Sequence, residues 1–257
     1  MRPDDDSLAR WFQTPLGERL LEREQAWYDA ELADVFGFNA LQLGLAEFDF
    51  LRANRIPMRA RVALDGPMQL RADVAELPIA SGEVDLVVLP HTLEFSPNPH
   101  QVLRETQRIL RPEGHVLISC FNPWSLWGLA RLFRGRSGDY PWCGQFIALP
   151  RIKDWLALLG FDSVAGRMTA YTPPLRGDQW QQRLRFMEPA GDRWWPFAGG
   201  VYFLHGIKRV SGIRLITPRW KMATARKKIL APVPHRLSDS RCEPRRGAPH
   251  HRVSEDR

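Results

Sequence analysis

Cysteine is scarce in this chain, with three among 257 residues: Cys120, Cys143 and Cys242. Three scattered thiols supply neither a disulfide framework nor the paired ligands of a zinc site. Cys120 ends an apolar run, where a reduced and buried thiol is expected. The pair His250-His251 does not make a metal site by itself, and no metal is expected. Long apolar runs are missing too: nothing approaches the roughly 18 consecutive apolar residues of a transmembrane helix. The opening MRPDDDS lacks the basic start and apolar core of a secretory leader, so a cytoplasmic location is expected. Over most of its length the chain also lacks net charge. The formal +7 lies wholly in residues 219–257, where eleven Lys/Arg face four Asp/Glu, and residues 1–218 are balanced. A balanced body has no global field to steer a polyanion, so no stable nucleic-acid complex is expected. The tail, without apolar periodicity, reads as a disordered basic segment. Weak association with an acidic surface and a tail with no specific role are both open.

At 44% apolar and 25% charged residues the composition is that of an ordinary globular protein, and the length suits one domain with extensions. The organising stretch runs from Ala72 to Cys120. Val84–Leu89 is an apolar run of strand length. Pro99–Leu110 has helical spacing, with Val102, Leu103, Thr106, Ile109 and Leu110 on one side. Asn98 stands at its cap, Pro99 at the first helical position and Gln101 where a capping-box partner belongs; Pro112 and Gly114 stop it. His115–Ser119 is a second buried strand. Strand, helix and strand in this order predict parallel neighbours in an α/β sheet.

Several anchors in this stretch, in order, resemble the second half of a class I S-adenosylmethionine-dependent methyltransferase domain of the type 11 kind. They are Asp73 with Leu77-Pro78, Val84-Asp85-Leu86-Val87-Val88, Leu93-Glu94, Leu103-Arg104-Glu105 and Arg108-Ile109-Leu110-Arg111-Pro112-Glu113-Gly114. The resemblance implies an α/β, Rossmann-like fold with a seven-stranded, mostly parallel sheet. Its strand order would be 3-2-1-4-5-7-6, with the last strand antiparallel and helices on both faces. The domain would occupy 1–218, with an N-terminal helical extension at 8–36 and a core at 39–210. It further implies S-adenosyl-L-methionine as cofactor and methyl transfer to a small-molecule acceptor. The alternative is a methyltransferase fold kept as a non-catalytic binding or scaffolding module.

Asn39–Leu45 is the expected first strand. In the family a glycine-rich turn follows it, so that backbone can pass close under the cofactor. Here Gly44 is kept, Ala46 and Phe48 stand at the next two glycine positions, and Gln42 replaces the usual acid. Phe48 is expected to add bulk where the pocket should be open. Arg61–Leu64 resembles the second strand. Asp65, 21 residues past Gly44, stands where a ribose-binding acid would be, or where an acid simply opens the turn Gly66-Pro67. The usual helix between the second and third strands has no room, leaving 68–72 for a brief third strand. The resemblance assigns an adenine contact to Asp73 and adds Val74 and Pro90 to the cofactor set with Gly44, Ala46 and Asp65.

After the fourth strand come Pro90-His91-Thr92-Leu93-Glu94. His91 and Glu94 are the acid/base candidates, since imidazole titrates near neutral pH; a histidine packed beneath the next helix is the alternative. After the fifth strand, Asn122 or Ser125 caps a helix carrying Trp124, Leu126, Trp127, Leu129, Leu132 and Phe133. Asn122, Trp124 and Trp127 are candidates for the substrate side. With Arg131, Arg134 and Arg136 the same helix suits a membrane surface, and core packing is the third reading. Residues 8–35 read as helical, with Thr14-Pro15 as cap and first position and Gly37 as stop. Ile152–Leu159 is a short amphipathic helix and Phe161–Arg167 the sixth strand. The segment 171–199 is rich in Trp180, Phe186, Met187, Trp194, Trp195 and Phe197 without clear period, and reads as a substrate-side insertion. Gly200–Lys208 is the last strand.

Overall fold

The computed structural model describes residues 7–134, 139–175, 183–184 and 186–209. The expectations for Arg136, Trp180 and the basic tail lie outside the described residues. The chain divides into a unit of Met1–Ile213 and a second of Arg214–Arg257, and the fold described is that of the first.

Its strands are β1 (Asn39–Leu43), β2 (Met58–Ala63), β3 (Leu70–Arg71), β4 (Val84–Pro90), β5 (Leu110–Phe121), β6 (Phe161–Thr169) and β7 (Val201–Lys208). Its helices are α1 (Leu8–Phe12), α2 (Pro15–Leu32), α3 (Thr92–Phe95), α4 (Pro99–Ile109), α5 (Leu126–Arg134), α6 (Leu149–Leu158) and α7 (Met187–Trp194). The seven strands form one sheet in the expected order 3-2-1-4-5-7-6. The pairs among β1 to β5 are parallel, and β7 runs antiparallel between β5 and β6.

Alternation along the strands divides the core between the two faces. Leu41, Leu43, Val87, Leu89, Val116 and Ile118 face α4 and α6, meeting Val102, Leu103, Ile152 and Leu156. Ala40, Leu86, Val88, Leu117 and Phe203 face the other way, against Phe12, Leu20, Trp27, Tyr28 and Leu32 of α1 and α2. Central strands covered on both sides read as continuous apolar runs, as VDLVVL does.

Local chemistry departs from the expectations in places. The Thr14 hydroxyl accepts from Gly17 N, so the cap and Pro15 hold as read. Residues 8–35 accordingly form two helices, with Thr14 and Pro15 beginning a new helix after α1 ends at Phe12. Gly37 does not stop α2, which ends five residues earlier; it makes room for Asp85, whose Cβ would lie 2.4 Å from a Cβ at position 37. Asn98 occupies the cap position of α4 but makes no side-chain cap bond, and the Gln101 side chain donates instead to Ala75 O at 3.4 Å. Pro112 and Gly114 lie within β5, where the register slips between Val84 and Leu86. Between β2 and β3 there is no helix, as the spacing requires.

Candidate functional site

The carboxyl ends of β1, β2 and β4 surround a cleft of about 380 Å³. Its lining includes Leu8, Gly44, Leu45, Leu64, Asp73, Val74, Pro90, His91, Thr92, Phe95 and Tyr140. A crevice outside the carboxyl ends of strands is where open α/β sheets bind ligands. A larger hollow of about 570 Å³ lies between α2 and the β6–β7 strands; it shares no lining residue with this cleft and holds none of the expected site residues.

The turn after β1 is held from beneath. Gly44 has φ 84° and Leu45 φ 42°. A left-handed residue other than glycine is uncommon and collects at sites where surrounding structure enforces it. The enforcing group is Gln42, which is fully buried. Its Nε2 faces the carbonyls of Gly44, Leu45 and Phe48 at 3.1, 2.9 and 2.8 Å, and its Oε1 accepts from Phe50 N at 3.0 Å. An amide can donate and accept in this way where a carboxylate could only accept. The Phe48 ring does not obstruct the cleft: it packs edge-on against Phe12, 5.8 Å between centroids, and is not among the lining residues. Ala46 does not line the cleft either; it is 1% exposed and its carbonyl accepts from Arg61 Nη1.

Of the two expected carboxylates, one borders the cleft. Asp73 lines it, with Oδ1 accepting from Ala75 N at 2.9 Å. Asp65 stands outside the lining, its side chain 94% exposed and 3.7 Å from Arg71 Nη2. The turn Gly66-Pro67 carries it outward, and the short β2–β3 connection puts Arg71 within reach.

His91 lies at the start of α3 with φ 50° and is 1% exposed. Both its ring nitrogens face carboxylates: Nε2 lies 2.7 Å from Glu24 Oε1, and Nδ1 lies 3.0 Å from Glu94 Oε1. Glu94 Oε1 also accepts from Phe121 N at 2.6 Å. Burial alone would lower the imidazole pKa, but the adjoining charges of Glu24 and Glu94 outweigh it and raise it to about 10. Burial raises the Glu24 carboxyl despite the nearby imidazole. Both ring nitrogens are engaged, and the raised pKa favours the imidazolium, which donates from both. The expected general base therefore has no free lone pair. Each glutamate keeps one buried oxygen, Oε2, without a partner among the described residues.

Glu24 was not among the expected site residues. Its signal was present, since it falls at i+4 from Leu20 and at i−3 and i−4 from Trp27 and Tyr28, on the apolar side of α2.

The expected substrate-side residues separate. Trp127 is 1% exposed, stacks on Phe121 at 5.7 Å and donates Nε1–H to Thr172 O, so it is core rather than pocket wall. Asn122 is also buried, tied to the carbonyls of Phe197 and Gly199 and to Trp124 N. Trp124 is exposed to solvent. Ser125, not Asn122, accepts from Gly128 N in the first turn of α5.

Comparison with known proteins agrees with this architecture. A family described as a methyltransferase domain matches residues 45–118. The Escherichia coli protein YafS is 34% identical over 158 residues, which is 59% of this chain and 64% of YafS. A malonyl-[acyl-carrier protein] O-methyltransferase of Laribacter hongkongensis is 33% identical over 101 residues, 39% of this chain and 34% of that protein. These matches span less than two thirds of either relative. Among solved structures, a SAM-dependent methyltransferase of Thermotoga maritima superposes with a TM-score of 0.53 at 14% identity, covering 76% of this chain and 99% of that one. One from Archaeoglobus fulgidus gives 0.52 at 15% identity, covering 74% and 94%. At these identities the structural likeness speaks to fold, and the sequence match speaks to the domain. Taken with the strand order, they show a Rossmann-like fold of the kind found in S-adenosylmethionine-dependent methyltransferases, in which residues 45–118 match a methyltransferase domain.

Proposed function

We propose that this protein is a methyltransferase that binds S-adenosylmethionine in the carboxyl-edge cleft and methylates a small-molecule acceptor. The observation that carries the reading is the cleft itself, open above a left-handed Gly44 and bordered by the Asp73 carboxylate. The residues fit the cofactor at these points. Gly44 presents backbone without a side chain, Asp73 has an oxygen available to an exocyclic amine, and Val74 and Pro90 give apolar walls. Asp65 as oriented supplies no ribose contact. Bound S-adenosylmethionine supplies a methyl group on a sulfonium, which an aligned nucleophile accepts.

The chain's own contribution is then binding and alignment, a proximity effect that needs no general base. His91 and Glu94 act in this reading as positioning residues: their ion pairs fix the left-handed bend at the end of β4 and so the floor of the cleft. The acceptor is described no further than a small molecule. The substrate named for the Laribacter relative belongs to a protein matched over a minor part of this chain.

Isothermal titration with S-adenosylhomocysteine tests the proposal. Binding is expected, weakened about tenfold by Asp73→Ala, the size of one hydrogen bond to a charged group. No heat at roughly millimolar ligand would defeat it. A second reading, a binding module without catalysis, is favoured by the outward Asp65; it predicts that absence of binding.

A further inference from the structure

Helix α5 turns an apolar side to water. Leu126, Leu129, Leu132 and Phe133 are all exposed, Phe133 to 84%, while Trp127 and Gly128 face inward. Trp124, 78% exposed, precedes the helix. Phe197, 77% exposed, adjoins it: Asn122 Nδ2 donates to Phe197 O and Asn122 Oδ1 accepts from Trp124 N, each at 3.0 Å. The two arginines of the helix lean back onto the protein, and Arg131 Nε donates to Trp142 O at 3.0 Å. The Arg131 guanidinium lies 5.1 Å from the Phe146 ring centroid and that of Arg134 lies 4.8 Å from Trp142. Residues 122–134 contain no Asp or Glu.

We propose that this face docks onto an anionic lipid bilayer, with α5 lying in the plane of the headgroups. Leucine and aromatic side chains on one side with arginine beside them are the composition of helices that rest in that interface. Exposed tryptophan suits the same depth, where an apolar ring and a polar N–H are both satisfied. Charge is complementary twice over. The helix carries two arginines and no acid, and the chain's whole excess of +7 lies in residues 219–257. A polybasic segment is drawn to anionic headgroups, and such attraction added to one modest apolar anchor makes a stable attachment. The docking face sits beside the carboxyl edge, since α5 begins five residues after β5 ends at Phe121. On the methyltransferase reading, an acceptor dissolved in the membrane would then reach the cleft from the bilayer. Docking itself does not depend on that reading.

The test is co-sedimentation of the full chain with two kinds of vesicle, phosphatidylcholine alone and phosphatidylcholine mixed with phosphatidylglycerol. The protein is expected on the mixed vesicles, about tenfold more weakly on the neutral ones, and less as salt is raised. The double variant Leu129→Ser/Phe133→Ser should lower binding to mixed vesicles roughly tenfold, because both side chains lie on the exposed stripe. Titration of S-adenosylhomocysteine into the same double variant should match the parent chain, which separates loss of docking from loss of the cofactor site and reports that the fold is intact. No sedimentation with mixed vesicles, or sedimentation that the double variant leaves undiminished, overturns the proposal. So does a dimer in light scattering that the double variant dissolves, since the face would then belong to a second copy.

Discussion

His91 carries a carboxylate at each ring nitrogen, Glu24 on one side and Glu94 on the other, in a site closed to water. Its proton is therefore linked to folding. The imidazole pKa rises from 6.5 to about 10 in the folded chain, so its contribution is complete below the unfolded value and disappears as pH climbs through the folded one. The Glu24 carboxyl is raised as well and contributes with the same sign. Thermal stability should accordingly fall between about pH 7 and pH 10, and His91→Gln should flatten that fall while lowering stability at neutral pH by about 3 kcal/mol, as expected when a buried ion pair loses one partner. Melting curves across that range check both effects; an unchanged slope in the variant would remove the linkage from His91. The sequence marked His91 and Glu94 as acid/base candidates, with a packed histidine as the alternative, and the structure buries both side chains. Glu24 lies 67 residues from His91, so the second carboxylate becomes visible only when α2 packs across the sheet. That carboxylate takes up the second ring nitrogen of an apparent base.

At the scale of elements, the turn after β1 shows how a departure from family pattern is absorbed. Phe48 stands where glycine is usual, yet its ring leaves the cleft and meets Phe12 of α1, while Gln42 binds the displaced carbonyls from below. The bulky residue thus serves the joint between the turn and the N-terminal helices. Phe48→Gly should lower stability by about 2 kcal/mol, from lost packing and a more flexible turn, and leave S-adenosylhomocysteine affinity within about twofold. Denaturant unfolding and titration measure the two separately; a large gain in affinity would return Phe48 to the cleft. Reading the turn from sequence recovered Gly44 and its place but not the direction of Phe48, because ring orientation was set by α1, a partner 36 residues away. For Trp127 the substrate-side and core readings were both open, and its burial fits the second. Its period on α5 was correct, but which side of that helix faced inward depended on Phe121 and Thr172.

At the scale of the molecule, the sheet was the most legible part. Apolar runs of strand length, broken by one strongly periodic helix and punctuated by Pro and Gly, specify parallel neighbours through the crossover rule. Even the missing helix between β2 and β3 followed from counting residues. The lining of the cleft was legible where it is made of backbone and of residues at strand ends, as at Gly44, Asp73 and Pro90. It was not legible where a turn decides whether a carboxylate faces in or out, as at Asp65.

The last strand has a consequence for the order in which the chain can fold. β7 lies between β5 and β6, bonded to both, although it is the last of the seven to be synthesised. During elongation β6 emerges with no partner in the sheet, and β5 waits with one edge open. A chain released before Val201 should therefore hold β1 to β5 together but expose two unpaired edges, and should aggregate where the longer chain remains in solution. Ribosome-released fragments ending at 199 and at 209, compared by sedimentation, would reveal the difference. The final eight-residue strand acts as a closing wedge, so that most of the sheet is committed to its register before the segment that completes it exists.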